Sequence, residues 1–298
     1  MAASRLRHPF VPWVLLTPWL IGFVAITLGP MLASLYLSFT DYNLLGDSTW
    51  VGVDNYVRMF TDDPKFLTSA GVTLRYVLIS VPLQLVFALA IAVILNQGLA
   101  GLAFYRSMYY LPSLLGSSVA IALLWRQIFG STGLVNQVLG ALGFTNLPAW
   151  IATPDHALTT LILLHVWTFG SPMIIFLAGL RQVPQDLYEA AAVDGAGAWT
   201  KFLRITIPML SPVIFFNLVL QMIHAFQTFT QSYVISSGTG GPVNSTLVYT
   251  LYLYQQAFGN FRMGYASAMA WLLVVVIGLL TAAAFGTSRH WVHYAGEK

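Results

Sequence analysis

Apolar residues do not alternate with polar ones along this chain. They gather into long blocks separated by short polar breaks. A helix crossing a bilayer takes about 20 residues, and six blocks reach that length: about 13–39, 71–96, 108–129, 157–180, 206–229 and 267–285. The blocks lack the period-two alternation of strands and are too long for them. The pattern predicts an all-α integral membrane protein with six transmembrane helices. Pro18, Pro30, Pro82, Pro112, Pro172 and Pro212 fall inside or at the ends of the blocks. Membrane helices tolerate proline where neighbours satisfy the freed backbone groups. The resulting kinks serve either a pathway or plain packing.

The breaks also carry pattern. Residues 52–69, 134–142 and 246–258 mix aromatic, aliphatic and polar side chains and predict short interfacial helices. Tyr56, Phe60, Trp150, Tyr249, Tyr252 and Tyr254 suit the membrane–water boundary. Gly143, Pro184, Gly238, Gly240, Gly241 and Pro242 mark turns. The segment 184–205 is the most distinctive. Pro184 and Asp186 make a helix start, with the acid near the positive end of the dipole. Leu187 to Val193 is strongly helical, Asp194-Gly195 stops it, and Ala198 to Leu203 restarts a helix leading into Ile207-Pro208. This predicts a helix–turn–helix at the membrane surface. Its alanines allow close approach of another surface, and Glu189 and Arg204 offer charge. Physics alone leaves two readings open, a docking site and an ordinary interfacial helix.

Composition sharpens the class. Charged residues make up 8% and hydrophobic residues 57%, with mean hydropathy +0.74, against about 25% charged in soluble domains. The chain has no cysteine, which excludes a disulfide framework, a thiol nucleophile and a cysteine metal site. Lysine occurs only at Lys65, Lys201 and Lys298, none after a glycine, so no phosphate-binding G-x-x-x-x-G-K loop exists. The chain is therefore expected not to be an enzyme, and any ATP-driven function needs its motor on another chain. The first block follows Arg5, Arg7 and His8 but is too long for a signal core and lacks a small-residue cleavage site, so it reads as an uncleaved anchor.

Orientation follows the basic residues. With six spans, Arg5, Arg7, Arg106, Arg181, Lys201, Arg204, Arg289 and Lys298 share one side, against Arg58, Lys65, Arg75, Arg126 and Arg262 on the other. The second side also collects Asp41, Asp47, Asp54, Asp62, Asp63 and Asp155. Both termini and the Glu189 loop are thus expected to be cytoplasmic. The expected organisation is a cytoplasmic segment 1–12, a transmembrane domain 13–286 containing the 184–205 loop, and a cytoplasmic tail 287–298.

Polar side chains within the spans are costly in lipid and tend to face the interior. Asn217, Gln221, His224, Thr228 and Gln231 follow one another at helical spacing on one face, with Gln227 beside them. Interhelical hydrogen bonds, each about 0.6 and up to about 2 kcal/mol, compete with a water-filled pathway as explanation. The length of the stripe favours the pathway. His165, Trp167, Thr168 and Ser171 lie at mid-depth of the fourth block. Aromatic faces bind the C–H surface of a sugar, and amides, hydroxyls and imidazoles bind its hydroxyls. His165, Trp167, Gln221, His224 and Thr228 form such a set. No intramembrane Arg or Lys accompanies them, which favours a neutral saccharide over a phosphorylated one. No acid or third histidine joins His165 and His224, so no metal site is expected. Gln84 and Asn96 are expected to pair with neighbours, and Arg126 to snorkel to the interface. An ion-coupled carrier normally needs intramembrane carboxylates, and every Asp and Glu lies outside the blocks. A membrane enzyme needs a convergent acid–base set, and Ser113, Ser117 and Ser118 lack a local histidine and acid.

The stretch Glu189-Ala190-Ala191 with Asp194-Gly195-Ala196, followed by Phe202, Ile205, Pro208 and Pro212, resembles the EAA loop of ABC importer permease subunits. Residues 37–42 (Leu-Ser-Phe-Thr-Asp-Tyr), 51–56 (Val-Gly-Val-Asp-Asn-Tyr), Leu124-Trp125-Arg126, Gly240-Gly241-Pro242 and 264–268 (Gly-Tyr-Ala-Ser-Ala) resemble the sugar branch of that family, which includes maltose-type and glycerol-3-phosphate-type permeases. The likeness covers essentially the whole chain. It departs at Thr230, where many relatives carry aspartate, and at residues 236–239, which lengthen a turn. The resemblance implies the type I importer permease fold with six spans and a coupling helix. It implies an inner (plasma) membrane location in a bacterium or archaeon, with several passes. It implies a second permease, usually making a heterodimer, two ATPase subunits that bind the ATP and Mg, and an extracytoplasmic sugar-binding protein. By that likeness Glu189, Ala190, Ala191, Asp194, Gly195 and Ala196 couple to the ATPase. Substrate contacts then come from the spans flanking the loop, at His165, Trp167, Thr168, Ser171, Gln221, His224, Gln227 and Thr228. The expected function is a pore subunit for a mono-, di- or oligosaccharide, working by alternating access and binding no cofactor itself. A glycerol-3-phosphate or polyol-phosphate importer is the alternative, and an ion-coupled secondary transporter a more distant one. The chain contacts membrane lipid, and no nucleic-acid partner is expected.

Overall fold

The computed structural model describes residues 11–44, 46–98 and 101–293, with side chains from residue 13 onward. Arg5, Arg7, His8 and Lys298, which entered the orientation argument, lie outside the described residues. In chain order the α-helices are α1 (Val11–Gly22), α2 (Gly29–Leu37), α3 (Asp54–Thr61), α4 (Pro64–Leu95), α5 (Leu102–Leu115), α6 (Val119–Ile128), α7 (Leu134–Ala141) and α8 (Pro154–Trp167). They continue with α9 (Gly170–Leu180), α10 (Gln185–Val193), α11 (Ala198–Lys201), α12 (Ile207–Phe226), α13 (Thr230–Ile235), α14 (Tyr249–Tyr254) and α15 (Met263–Ser288). Among the described residues the one β feature is an isolated antiparallel bridge between Thr40 and Trp50.

Trp13–Leu37, Pro64–Leu95, Ala198–Phe226 and Met263–Ser288 are each long and apolar enough to cross a membrane. The third and fourth blocks are bent pairs. α5 and α6 meet at 98°, and α8 and α9 at 42°, so the number of spans reaches six when each pair counts as one. Two continuous spans contain a widened π turn, at Phe23–Leu28 and Phe202–Thr206, just ahead of Pro30 and Pro208. The proline ring would strike the carbonyl one α-turn earlier, and the widened turn absorbs that conflict without ending the helix. The sharp α5–α6 break has a local cause. Ser118 leaves helical geometry and its hydroxyl caps α6, accepting from the Ile121 amide at 3.3 Å.

The chain forms two compact units, residues 1–62 with 256–273, and residues 63–255 with 274–298. In the first, the segment after α2 is a hydrogen-bonded knot. Buried Asn55 donates to the carbonyls of Ser38 and Thr40 at 2.9 Å each, and the Tyr56 hydroxyl donates to Ser38 Oγ at 2.9 Å. Phe39 stacks on Trp50, the Gly264 amide reaches the Tyr42 carbonyl, and the Arg58 guanidinium lies over the Tyr265 ring. Three of the separated segments that carry the family likeness, 37–42, 51–56 and 264–268, therefore meet in one place.

In the second unit α4 is the central post. Its buried face includes Tyr76, Val81, Leu85, Ala88 and Ala92, and α8, α9, α12 and α14 pack around it. Asp63 caps it, accepting from the Phe66 amide, and Asp63 also accepts from the Tyr252 hydroxyl at 2.6 Å. Tyr249 and Tyr252 are buried core residues and not boundary anchors. α5 and α9 approach so closely at Gly170 that a Cβ there would run into the Tyr109 carbonyl and Tyr110 Cα, so only glycine fits. The segment 285–293 folds back on α12, where the His293 amide donates to Ser211 Oγ at 2.8 Å and Phe215 packs edge-on against Phe285 and Trp291.

Candidate functional site

The bend between α8 and α9 is the key to the second unit's interior. Breaking a helix frees carbonyls that lipid cannot satisfy. Gln84 of α4, 1% exposed, supplies the donors. Its amide nitrogen reaches the His165 carbonyl at 3.0 Å, the Thr168 carbonyl at 3.2 Å and Thr168 Oγ1 at 3.1 Å. Ser113 adds a relay, donating to the Thr168 carbonyl and accepting from the Ser171 amide, both at 2.8 Å. The bend is thus held from two neighbouring helices. Gln84→Leu removes the amide donors and is expected to cost about 1.5 kcal/mol. Thermal unfolding in detergent should show it as a Tm lower by about 3–6 °C, and an unchanged Tm would contradict the clamp.

This bend faces a cavity of about 450 Å³. The end of α5 contributes Ser113, Gly116 and Ser117, and the bend contributes His165, Thr168 and Ser171. Gln221, His224 and Gln227 come from the end of α12, and Phe229, Thr230 and Gln231 follow with Thr228. Among these lining residues there is no acid, lysine or arginine. His165 sits edge-on to Tyr76, and its buried Nε2 has no partner among the described residues. Gln231 fastens the far wall, donating to the Gly116 carbonyl at 3.1 Å and accepting from Thr228 Oγ1. Thr250 Oγ1 holds the Thr228 carbonyl.

Of the substrate-pathway residues expected from sequence, His165, Thr168, Ser171, Gln221, His224, Gln227 and Thr228 line this cavity. Trp167 does not; its ring faces Trp125, whose indole nitrogen donates to the Thr160 carbonyl. The polar stripe is not one continuous helical face. α12 ends at Phe226, and Thr228 and Gln231 return to the cavity from the loop and α13. Asn217 is fully buried away from the lining, donating to the Val213 carbonyl with Oδ1 unpartnered. Ser113, Gly116, Ser117, Phe229 and Thr230 were not expected there; the small polar run 116–118 inside an apolar block was the signal for Gly116 and Ser117. Arg126 does not simply snorkel, since it donates to Ser237 Oγ at 2.8 Å.

The 184–205 loop forms the anticipated pair of helices. α10 ends at Val193, Gly195 takes φ +75°, and the Ala196 amide closes back on the Ala191 carbonyl at 2.8 Å, a left-handed helix stop. The Tyr188 hydroxyl bonds Thr206 Oγ1 at 2.8 Å, tying α10 to the base of the α12 span. Glu189, Ala190, Asp194 and Gly195 are exposed, and Ala191 and Ala196 are half-exposed. Val193 is 89% and Trp199 71% exposed, an apolar display beside the turn.

The family described as binding-protein-dependent transport system inner membrane component matches residues 62–291. A probable ABC transporter permease protein, YesP of Bacillus subtilis, is 53% identical over 96% of this chain and 93% of its own length. The lactose transport system permease LacF of Rhizobium radiobacter is 33% identical over 93% of each chain. The arabinooligosaccharides transport system permease AraP of Bacillus subtilis is 34% identical over 89% of this chain and 84% of its own. Among solved structures, a bacterial alginate ABC transporter in complex with alginate pentasaccharide-bound periplasmic protein matches with TM-score 0.79 at 24% identity, over 96% of this chain and 98% of that one. That likeness fixes the fold.

Proposed function

The chain belongs to the binding-protein-dependent transport system inner membrane component family, and from that premise we propose that it is the pore-forming permease subunit of an ATP-driven sugar importer. The cavity carries the reading. A chamber walled by hydroxyls, amides and two imidazoles, with one aromatic face at Phe229, offers the donors and acceptors a polyol needs. Lactose and arabino-oligosaccharides, named for LacF and AraP, are ligands of this class. The lining holds no lysine or arginine, which favours a neutral saccharide over a polyol phosphate. It holds no carboxylate, the group an ion-coupled carrier would use.

In this reading the exposed α10–α11 turn is the coupling element, with Glu189, Ala190, Ala191, Asp194, Gly195 and Ala196 seated in a separate ATPase that binds ATP and Mg. Closure of that motor pulls on the turn. The Tyr188–Thr206 bond passes the movement to α12, whose far end bears Gln221 and His224. The full assembly holds a second permease, two ATPase subunits and an extracytoplasmic binding protein. The turn and the termini face the cytoplasm, as the distribution of Arg and Lys supports.

Proteoliposomes containing the assembly, given binding protein and a panel of labelled saccharides, test this. ATP-dependent uptake of at least one neutral sugar is expected, lost when the ATPase's catalytic residue is changed. Uptake that follows an ion gradient and ignores that change would contradict it.

A further inference from the structure

A second, smaller pocket of about 200 Å³ lies between α5 and α9, away from the polar cavity, lined by Arg106, Ile174, Leu177, Ala178 and Arg181. Arg106 stands about one turn into α5, and Arg181 closes α9 just before the α10 loop. These helix ends therefore lie side by side, at the edge of the membrane from which that loop emerges. The setting is two guanidiniums over an aliphatic floor of Ile174, Leu177 and Ala178.

Ordinary snorkelling keeps the charged head in water. In half-buried Arg106 one nitrogen of that head, Nε, is buried and has no hydrogen-bond partner among the described residues. Among the described residues no acid forms an ion pair with Arg106 or Arg181. A buried, unmatched guanidinium nitrogen is costly unless an anion completes it. Arginine pairs well with phosphate through parallel N–H donors, and basic pockets between membrane helices suit anionic headgroups.

We propose that Arg106 and Arg181 form a binding site for the phosphate of an anionic phospholipid, whose acyl chains run over the aliphatic floor between α5 and α9. Phosphate chemistry could also come from free inorganic phosphate. The floor of Ile174, Leu177 and Ala178 favours the lipid. An anchored lipid there would brace the base of α9 directly before the coupling turn.

Native mass spectrometry tests this on the purified chain with its copurifying subunits, titrated with dioleoylphosphatidylglycerol, with dioleoylphosphatidylcholine and with inorganic phosphate. Phosphatidylglycerol should be retained about tenfold more tightly than phosphatidylcholine, and this preference should vanish in the double variant Arg106→Gln with Arg181→Gln. The pair Arg106→Lys with Arg181→Lys keeps the charges but loses the parallel donors, so it should hold the lipid less tightly than wild type and more tightly than the glutamine pair, which separates loss of the site from loss of the fold. Equal retention of the two lipids by wild type overturns the proposal and needs no variant. Displacement by inorganic phosphate with no lipid preference overturns the lipid source. A glutamine variant that keeps phosphatidylglycerol but sheds a subunit assigns the arginines to a protein carboxylate, and also overturns it.

Discussion

Gly195→Trp is expected to lower ATP-driven uptake about 100-fold while the chain still folds and inserts. Two effects separate here. Gly195 has φ +75°, where a side chain costs about 1–2 kcal/mol, small against a stability of about 5–15 kcal/mol. No other group lies within 4 Å of the position a Cβ would take, so in this chain alone a side chain there starts into open space. An indole does not fit if a partner surface closes over the turn. Destroying a central contact of such an interface costs about 2–3 kcal/mol, hence the 100-fold figure. Gly195→Asn is the control. Asparagine tolerates the left-handed region and projects much less, so it should keep most of the uptake. Measuring uptake and binding-protein-stimulated ATP hydrolysis for both variants separates the explanations. Equal losses would mean that backbone strain, and not docking, governs the site.

The paired change Gln221→Leu with His224→Leu should cut uptake by about 10- to 100-fold while ATP hydrolysis by the assembly persists. Both residues line the cavity from the last turns of α12, and each hydrogen bond to a neutral hydroxyl is worth about 0.5–1.5 kcal/mol. Leucine also removes polar partners for water along that wall, so both affinity and wetting fall. The initial rate of uptake against sugar concentration is the readout. Asn217→Leu, a change on the same helix at a fully buried position off the lining, should leave the apparent KM unaltered. If the double variant transports as wild type, the sugar does not pass between α12 and the α8–α9 bend.

The apolar blocks were legible because exclusion from water acts on composition, and lipid accepts no other arrangement of backbone. That logic marked the long apolar helices but not their bends. Gly116, Ser117 and Ser118 read as small residues within an apolar run, yet Ser118 starts a new helix at 98° to the last. Within 157–180 Pro172 is the one local sign, since it cannot donate to the Thr168 carbonyl, and it does not tell how far α8 and α9 part. The donors that make the bend tolerable come from Gln84 and Ser113, far away in sequence. Of the polar stripe on the fifth block, Gln221 and His224 reach the cavity from one helix, whereas Thr228 and Gln231 come back to it through a turn. Trp167 had the right chemistry at the right depth, but its ring packs with Trp125. Tyr249 and Tyr252 looked like boundary anchors by residue type, and long-range partners draw them inward, the Phe66 ring for Tyr249 and the Asp63 carboxylate for Tyr252. Pair contacts across the sequence decide such cases, and a pattern along the chain does not contain them.

The chain's lack of cysteine makes the deciding experiment simple. Val193→Cys places a unique thiol on a side chain of the α10 turn that is 89% exposed. In the assembled complex in cells, this thiol should cross-link to the nucleotide-hydrolysing subunit and be shielded from membrane-impermeant maleimide added outside. Labelling from outside, with no cross-link to that subunit, would contradict the account.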